Sequence, residues 1–378
     1  MLFRFLLLIA CVAPATLWAE DGITRTVVRR QGQDGVHTYR IPGLATTGIG
    51  TLIAVFDIRH KSSADLPGDI DVGLCRSEDN GQTWSPMRTI LDFDAAEPTA
   101  RGNGVGDPAV LVDRQKGRIF VAGLWSYGDR AWNGSKPGLT PQETGQLVLT
   151  HSDDDGLTWS KPRNISAGIA GRDPKWRLLF QGPGSGLQLR DGTLAFAAQF
   201  RGQDGMPHSC FLSSADHGET WAISKPAIPT RPPTSEAQVA ELSDGGLLIS
   251  MRDESRSGQR VWARYEWKAS LAQGKWSEPW SDLPDPTCMA SLVRHPSGVL
   301  LFSNCNSPTH RKDLTVRVSS DDGKTWSKGR LIDGRPCMYS CLTMLEDGTI
   351  GVLYETGEKT GFDTLTFARF SLEWAQGE

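Results

Sequence analysis

Long apolar runs, basic excess and tyrosines are all scarce in this chain of 378 residues. Its Lys and Arg number 40 against 44 Asp and Glu, a formal charge of −4, so it lacks the positive field that nucleic acid demands of a partner. No stretch carries a convincing long amphipathic helix, which argues against helical bundles. The seven cysteines include no pair at zinc-ligand spacing with a second pair or a His cluster, so a structural zinc site is not expected. The seven histidines pair with no Ser or Cys in a recognisable nucleophile elbow, and His60 reads as a loop residue.

The one apolar run is the leader "MLFRFLLLIACVAPATLWAED". A basic Arg4, an apolar stretch and small residues before Ala19 describe a secretory signal at 1–19 rather than a membrane span. The protein is thus expected to be secreted or periplasmic, with no stable membrane span. Lipidation at Cys11 is the second reading, because Leu8-Ile9-Ala10-Cys11 has the look of a lipoprotein box. Six cysteines follow Cys11: Cys75, Cys210, Cys288, Cys305, Cys337 and Cys341. An even count outside the cell permits disulfides without specifying any.

What the chain has in abundance is glycine (41), proline (22) and tryptophan (13). Short strand-like runs such as "GTLIAVFDIR", "GTLAFAAQF" and "GVLLFSNC" each begin at a Gly or Asp-Gly turn. One octet recurs four times: "SEDNGQTW" (77–84), "SDDDGLTW" (152–159), "SADHGETW" (214–221) and "SSDDGKTW" (319–326). In S-x-D-x-G-x-T-W the Asp and Ser side chains can bond backbone N–H groups, Gly supplies a positive φ, and Trp anchors the turn on an apolar neighbour. The pattern lacks the spaced carboxylates and final Glu of a calcium loop. "GKWSEPW" at 274–280 looks like the remnant of a further copy. Repeating four-stranded units with a Trp fastener indicate a β-propeller, and about 60 residues per unit over 20–378 gives roughly six blades in a single domain.

The unrepeated residues carry the chemistry. "TYRIPGL" puts Arg40 before Pro42, and "FDIRHKSSAD" supplies Arg59 and Asp65. An Arg-Ile-Pro near the N-terminus combined with four such turns resembles the exo-α-sialidase (neuraminidase) family, bacterial type, whose turns are called Asp boxes. The resemblance runs over essentially all of 23–375. It implies a six-bladed propeller that needs no cofactor or metal and acts on sialylated glycans.

The family's substrate has a carboxylate on the carbon whose glycosidic bond breaks. Planar guanidinium forks hold such an anion bidentately. By resemblance these are Arg40, Arg252 in "LLISMRDES", and Arg311 in "THRKDLTVRVS", with Arg317 on the same stretch left as a competitor. A carboxylate nucleophile would meet a like charge there, and sialidases are the glycosidases that use tyrosine instead. Tyr339 in "CMYSCLTML" matches that tyrosine, and Glu236 in "PPTSEAQVAEL" matches the base it needs, with Glu241 the local rival. Asp65 matches the acid/base that protonates the leaving oxygen, although Asp65, Asp69 and Asp71 could all be no more than a polar loop. Glu355 resembles the carboxylate orienting Arg40, leaving its neighbour Tyr354 to packing. Arg59 and Asp107 match positions near the sugar's polar substituents, and Trp125 and Trp132 match an aromatic pair walling its N-acetyl pocket. A sialic acid transferase, an enzyme for a related nonulosonic acid and a non-catalytic glycan-binding propeller are the rival readings.

Overall fold

The computed structural model describes residues 21–93, 103–267 and 271–377. The leader and Cys11 lie outside the described residues. Among the described residues no helix is long and apolar enough to cross a membrane.

Runs of valine, isoleucine, leucine and phenylalanine between Gly turns pair as antiparallel meanders. The first sheet joins Thr38–Thr46, Leu52–Arg59, Ile70–Ser77 and Arg88–Leu91. Three more follow in chain order, led by Val105–Asp113, by Leu178–Gln181 and by Thr234–Glu241. The last sheet has seven strands because Arg330–Met344 serves two units. Its first part pairs with Lys312–Ser319 and its second, from Cys337, with Ile350–Thr356. The N-terminal strand Thr24–Arg30 pairs with Thr364–Phe370, so the first described strand completes the last unit. This interlock closes the ring.

Each strand of a propeller unit presents apolar side chains to both neighbouring sheets, so the core is divided between sheets rather than gathered at one centre. Val55, Leu74, Val110 and Val121 form one such layer between the first two units. Tyr39, Phe56, Leu353 and Phe367 form another between the last unit and the first. The propeller expected from the repeat is the architecture observed.

The recurrent octet is the fastener between units. In the first copy Asp79 accepts from the Ser77 hydroxyl (2.8 Å), the Thr83 N–H (2.9 Å) and the Thr83 hydroxyl (2.6 Å), while the Gly81 N–H donates to Ser77 Oγ (2.9 Å). Gly81 has φ of 84°. A Cβ there would come within 2.0 Å of the Phe367 ring, and Trp84 meets that same ring edge-on at 5.4 Å. Glycine is therefore required twice over, by its φ and by the close approach of the neighbouring unit. The same pattern sets Gly218 against Phe120 and Gly323 against Leu248. In the expected remnant only the clasp after the tryptophan persists: Ser277 N–H donates to Arg264 O at 2.8 Å, as Ser85 N–H does to Arg76 O.

Candidate active site

Two cavities lie at opposite ends of the same innermost strands. One, of about 250 Å³, is lined by Ile41, Asp65, Asp107, Trp132, Phe180, Gln199, Glu236, Arg252 and Tyr339 among others. The other takes the far ends of those strands, including Thr46, Arg114, Glu241, Arg294 and Met344. The charged groups that the sequence singled out gather around the first.

They arrive there by a shared local device. Pairing of the inner strand slips at Arg40/Gly43, at Gly106/Ala109, at Thr234/Ala237 and at Cys337/Ser340. Each slip is a bulge, which re-aims a side chain out of the pleat, and they present Arg40, Asp107, Glu236 and Tyr339 respectively. Two are strained: Ile41 has φ of 59° and Asp107 φ of 55°. A positive φ at a β-branched residue is a real cost, of order 1–3 kcal/mol, that surrounding contacts must hold in place.

Tyr339 donates its hydroxyl to Glu236, whose two oxygens lie 2.6 and 2.7 Å away. Arg252 Nη1 reaches Glu236 Oε2 at 2.7 Å and the Tyr339 oxygen at 3.1 Å. Burial first, then the Glu236 charge, pushes the Tyr339 phenol well above its ordinary range, against Arg252 and Arg311. The phenol is consequently neutral at rest, hydrogen-bonded to a base that can take its proton. Glu241, by contrast, belongs to the far cavity and pairs with Arg190 at 3.0 Å.

Glu355 is fully buried. It accepts from Arg40 Nε (2.9 Å) and Nη2 (3.3 Å), from the Ile41 N–H (2.9 Å) and from the Tyr339 N–H (2.9 Å). Burial works against the charge of Arg40, but Glu355 more than offsets it and the guanidinium is held above its usual range. Arg40 also lies over the Phe362 ring at 5.0 Å. Tyr354 donates instead to Asp333 at 3.1 Å, within the core.

Arg311 differs from its neighbours in its partners. Its Nη2 donates to Thr287 O (2.8 Å), its carbon lies 6.0 Å from the centre of the Tyr339 ring, and among the described residues no carboxylate pairs with it. Arg317 is buried between Asn304 (3.2 Å) and Asn306 (2.7 Å). The structure thus brings Arg311, not Arg317, beside Tyr339.

The acidic loop also sorts itself. Asp69 pairs with Lys61 (2.9 Å) and Asp71 with His60 (2.7 Å), whereas Asp65 reaches Arg59 at 2.7 Å and Arg40 at 3.9 Å. Asp65 is nonetheless 76% exposed in its side chain, open to the cavity. Arg59 also chelates Asp57 through Nε and Nη2 (3.0 and 2.8 Å). Burial pushes Asp57 up to about 6 against that pairing. Asp57 Oδ1 in turn accepts the Asp107 N–H at 2.9 Å. Asp107 is pushed well above the carboxylate range by burial and by the nearby charges of Asp57, Glu236 and Asp65.

The two tryptophans part company. Trp132 lines the cavity, edge-on to Phe180 at 6.2 Å. Trp125 is not among the lining residues; its ring stacks on Phe93 at 4.5 Å and its N–H donates to Asn103 at 2.8 Å. A ring with its N–H satisfied and a stacking partner is packing for the unit, and the aromatic pair lining the cavity is Trp132 with Phe180.

Several cavity residues had no motif to announce them. Gln199 is buried, lines the cavity, and among the described residues finds no partner for either amide atom, an uncommon state for a buried polar group. Glu254 faces Arg252 Nε at 3.0 Å. Asp57 alone carried a signal, because strand residues two apart share a face and Asp57 precedes Arg59 by two. Among the described residues no group of His, Cys, Asp or Glu could hold a metal ion.

Comparison with known proteins agrees with this fold. The family model described as "BNR repeat-like domain" matches residues 50–352. A sialidase of Bacteroides fragilis is 42% identical over 89% of this chain and 64% of its own length. One of Micromonospora viridifaciens is 37% identical over 97% of this chain and 56% of its own. The chain therefore spans roughly three fifths of the curated relatives it matches. Among solved structures a Hadza microbial sialidase is 44% identical with a TM-score of 0.85, covering 93% of this chain and 69% of that one. A leech intramolecular trans-sialidase, 18% identical, shares the fold alone, with a TM-score of 0.77 over 92% of this chain and 70% of that one. With its family model matched over most of its length and sialidases among its relatives, this chain belongs to the BNR repeat-like domain family, alongside the bacterial exo-α-sialidases.

Proposed function

We propose that this chain is a retaining exo-α-sialidase that removes terminal α-linked sialic acids from glycoproteins, glycolipids and oligosaccharides. The observation that carries the reading is the Tyr339 hydroxyl held between both oxygens of Glu236 and Arg252 Nη1. In a glycosidase cavity, a buried phenol on a carboxylate and ringed by arginines suits a neutral nucleophile attacking beside an anion.

Arg40, Arg252 and Arg311 clamp the substrate carboxylate. Arg311 has the strongest case, because it stands by Tyr339 with no carboxylate of its own among the described residues. The Tyr339 oxygen then bonds to the anomeric carbon as its proton passes to Glu236, and the glycosidic oxygen departs with a proton from Asp65. In the second half Asp65 takes a proton from water, the water oxygen bonds to the anomeric carbon, and Tyr339 leaves, recovering its proton from Glu236. Arg59 holds Asp65 in place through its 2.7 Å contact. The unpartnered amide of Gln199, set among Leu124, Trp132 and Phe180, supports an N-acyl group as the substituent bound there: a secondary amide pairs with a primary one, and its methyl meets apolar walls. The leader sequence supports export of the protein.

The test is incubation of the purified protein with α2,3- and α2,6-sialyllactose, with free sialic acid and lactose quantified by chromatography, alongside Tyr339→Phe. Equal release of both products by the wild type and near-complete loss in the variant are expected. Lactose released without matching sialic acid, or sialic acid moved onto an added galactoside, would replace hydrolysis by transfer. Normal turnover by Tyr339→Phe would remove the nucleophile assignment.

A further inference from the structure

Directly behind Tyr339 lies a cluster of three thiols outside the proposed chemistry. Cys288, Cys305 and Cys337 are each fully buried and free. Cys305 Sγ lies 3.2 Å from Cys337 Sγ, closer than two non-bonded sulfurs ordinarily rest. Cys288 and Cys305 both point at the Met338 carbonyl, at 3.5 and 3.3 Å. The three side chains thus converge on the backbone of the two residues just before Tyr339.

That backbone also holds Arg311. The Cys337 N–H donates to the Arg311 carbonyl at 3.0 Å, and Arg311 Nη2 binds the carbonyl of Thr287, next to Cys288. With no carboxylate partner among the described residues, Arg311 depends on this backbone for its place. Arg40 and Arg252, in contrast, are fixed by Glu355 and Glu236.

We propose that Cys305 and Cys337 are a disulfide-forming pair, oxidised when the chain folds in an oxidising compartment, whose bond braces Arg311 and the strand carrying Tyr339. The inference rests on the proposed site only for its effect on substrate binding. The two thiols lose two protons and two electrons and an S–S bond forms; an oxidant of the disulfide class, a small-molecule disulfide or a thiol–disulfide oxidoreductase, is reduced to two thiols. The sulfurs must close by about 1 Å to reach the bonded distance of ~2.05 Å. The bond would close a loop that contains Arg311 and the fourth recurrent turn, constraining the unfolded chain. Complete burial keeps later oxidants from the pair, so the bond belongs to folding rather than to the folded protein. Cys288 stays reduced, while Cys75, Cys210 and Cys341 are buried elsewhere in the sheets.

The test refolds the protein from denaturant with reduced and oxidised glutathione, or with reduced glutathione alone, then alkylates under denaturing conditions and maps peptides without reduction. After oxidising refolding, two of the six described thiols should escape alkylation and one cross-linked peptide should join Cys305 to Cys337. Alkylation of all six, or a bond to Cys288, overturns the proposal. The oxidised form should melt several degrees higher than the reduced form and bind substrate with a KM several-fold lower at similar kcat. Cys288→Ala should keep both differences and Cys305→Ser/Cys337→Ser should abolish them; the reverse pattern also overturns it. Because the cross-link is read by mass, it stands or fails separately from any sialidase activity.

Discussion

Replacing Glu355 by glutamine should damage both the fold and the site, and the size of the effect can be worked from its contacts. The buried carboxylate accepts four hydrogen bonds: two from Arg40, one from the Ile41 N–H and one from the Tyr339 N–H. These tie the strand Thr38–Thr46 of the first unit to Ile350–Thr356 of the last. Glutamine keeps one acceptor oxygen and turns an NH₂ toward donors, so one set of partners is left facing another donor. Removing one member of a buried ion pair costs about 3–5 kcal/mol, since the remaining charge is stranded. Ile41 would also lose the bond that holds its positive φ. Glu355→Gln should therefore lose about 3–5 kcal/mol in denaturant unfolding, and kcat/KM should fall by about 10²-fold as Arg40 and Tyr339 shift. Glu241→Gln is the control: its partner Arg190 is 59% exposed in its side chain, so the loss should stay below about 1 kcal/mol with KM unchanged. If Glu355→Gln matches Glu241→Gln in both measurements, the carboxylate does not organise the site.

Other outcomes follow from the same geometry. Arg311→Lys should raise KM at least about 10-fold by losing the planar fork, whereas Arg317→Lys should alter stability and leave KM alone; a KM effect confined to Arg317 would reverse the assignment. Asp107 has its pKa raised, so the stability it contributes is present at low pH and is lost as pH rises through the folded-state value, when a charge appears beside Asp57 and Glu236. Asp107→Asn, which cannot ionise, should flatten the resulting fall in unfolding free energy when denaturant unfolding is measured across a pH series; an unchanged profile would mean that another group titrates. Asp216→Ala removes the acceptor for the Ser214 hydroxyl and for both Thr220 donors; it should cost about 1 kcal/mol in unfolding free energy without touching KM.

The sequence disclosed the scaffold and the charged groups for a physical reason that did not extend to the walls. The recurrent octet is local chemistry: Ser77, Asp79, Gly81 and Thr83 satisfy one another within a few residues, so the pattern must be written in full at each copy. Arg40, Glu236 and Tyr339 were visible because their surroundings match a known family's motifs. Gln199 and Phe180 look like ordinary strand residues and Glu254 like an ordinary turn residue, and only the convergence of different sheets on one axis makes them neighbours. Trp125 shows the converse. It stands close to Trp132 in sequence with similar polar surroundings, yet Phe93 and Asn103 claim its ring and its N–H.

The bulges explain how a repetitive fold hosts a site with no repetition. A regular strand alternates its side chains between the two neighbouring sheets, and in a propeller both of those faces are core. A charged residue placed in that alternation would be buried against valine and leucine. The slips at Arg40, Asp107, Glu236 and Tyr339 add a residue to the inner strand, and the side chain there turns toward the central axis instead. Strand pairing is sacrificed at those places, and the lost stability is partly recovered by cross-sheet bonds such as Ile41 N–H to Glu355 and Asp107 N–H to Asp57. The bonds that hold the strained backbone are made by the same carboxylates that orient Arg40 and Arg59, so the strain and the arginine positions are coupled. In this architecture the unit of function is the bulge with its anchoring carboxylate, and the recurrent turns at the rim keep neighbouring units close enough for that anchor to reach.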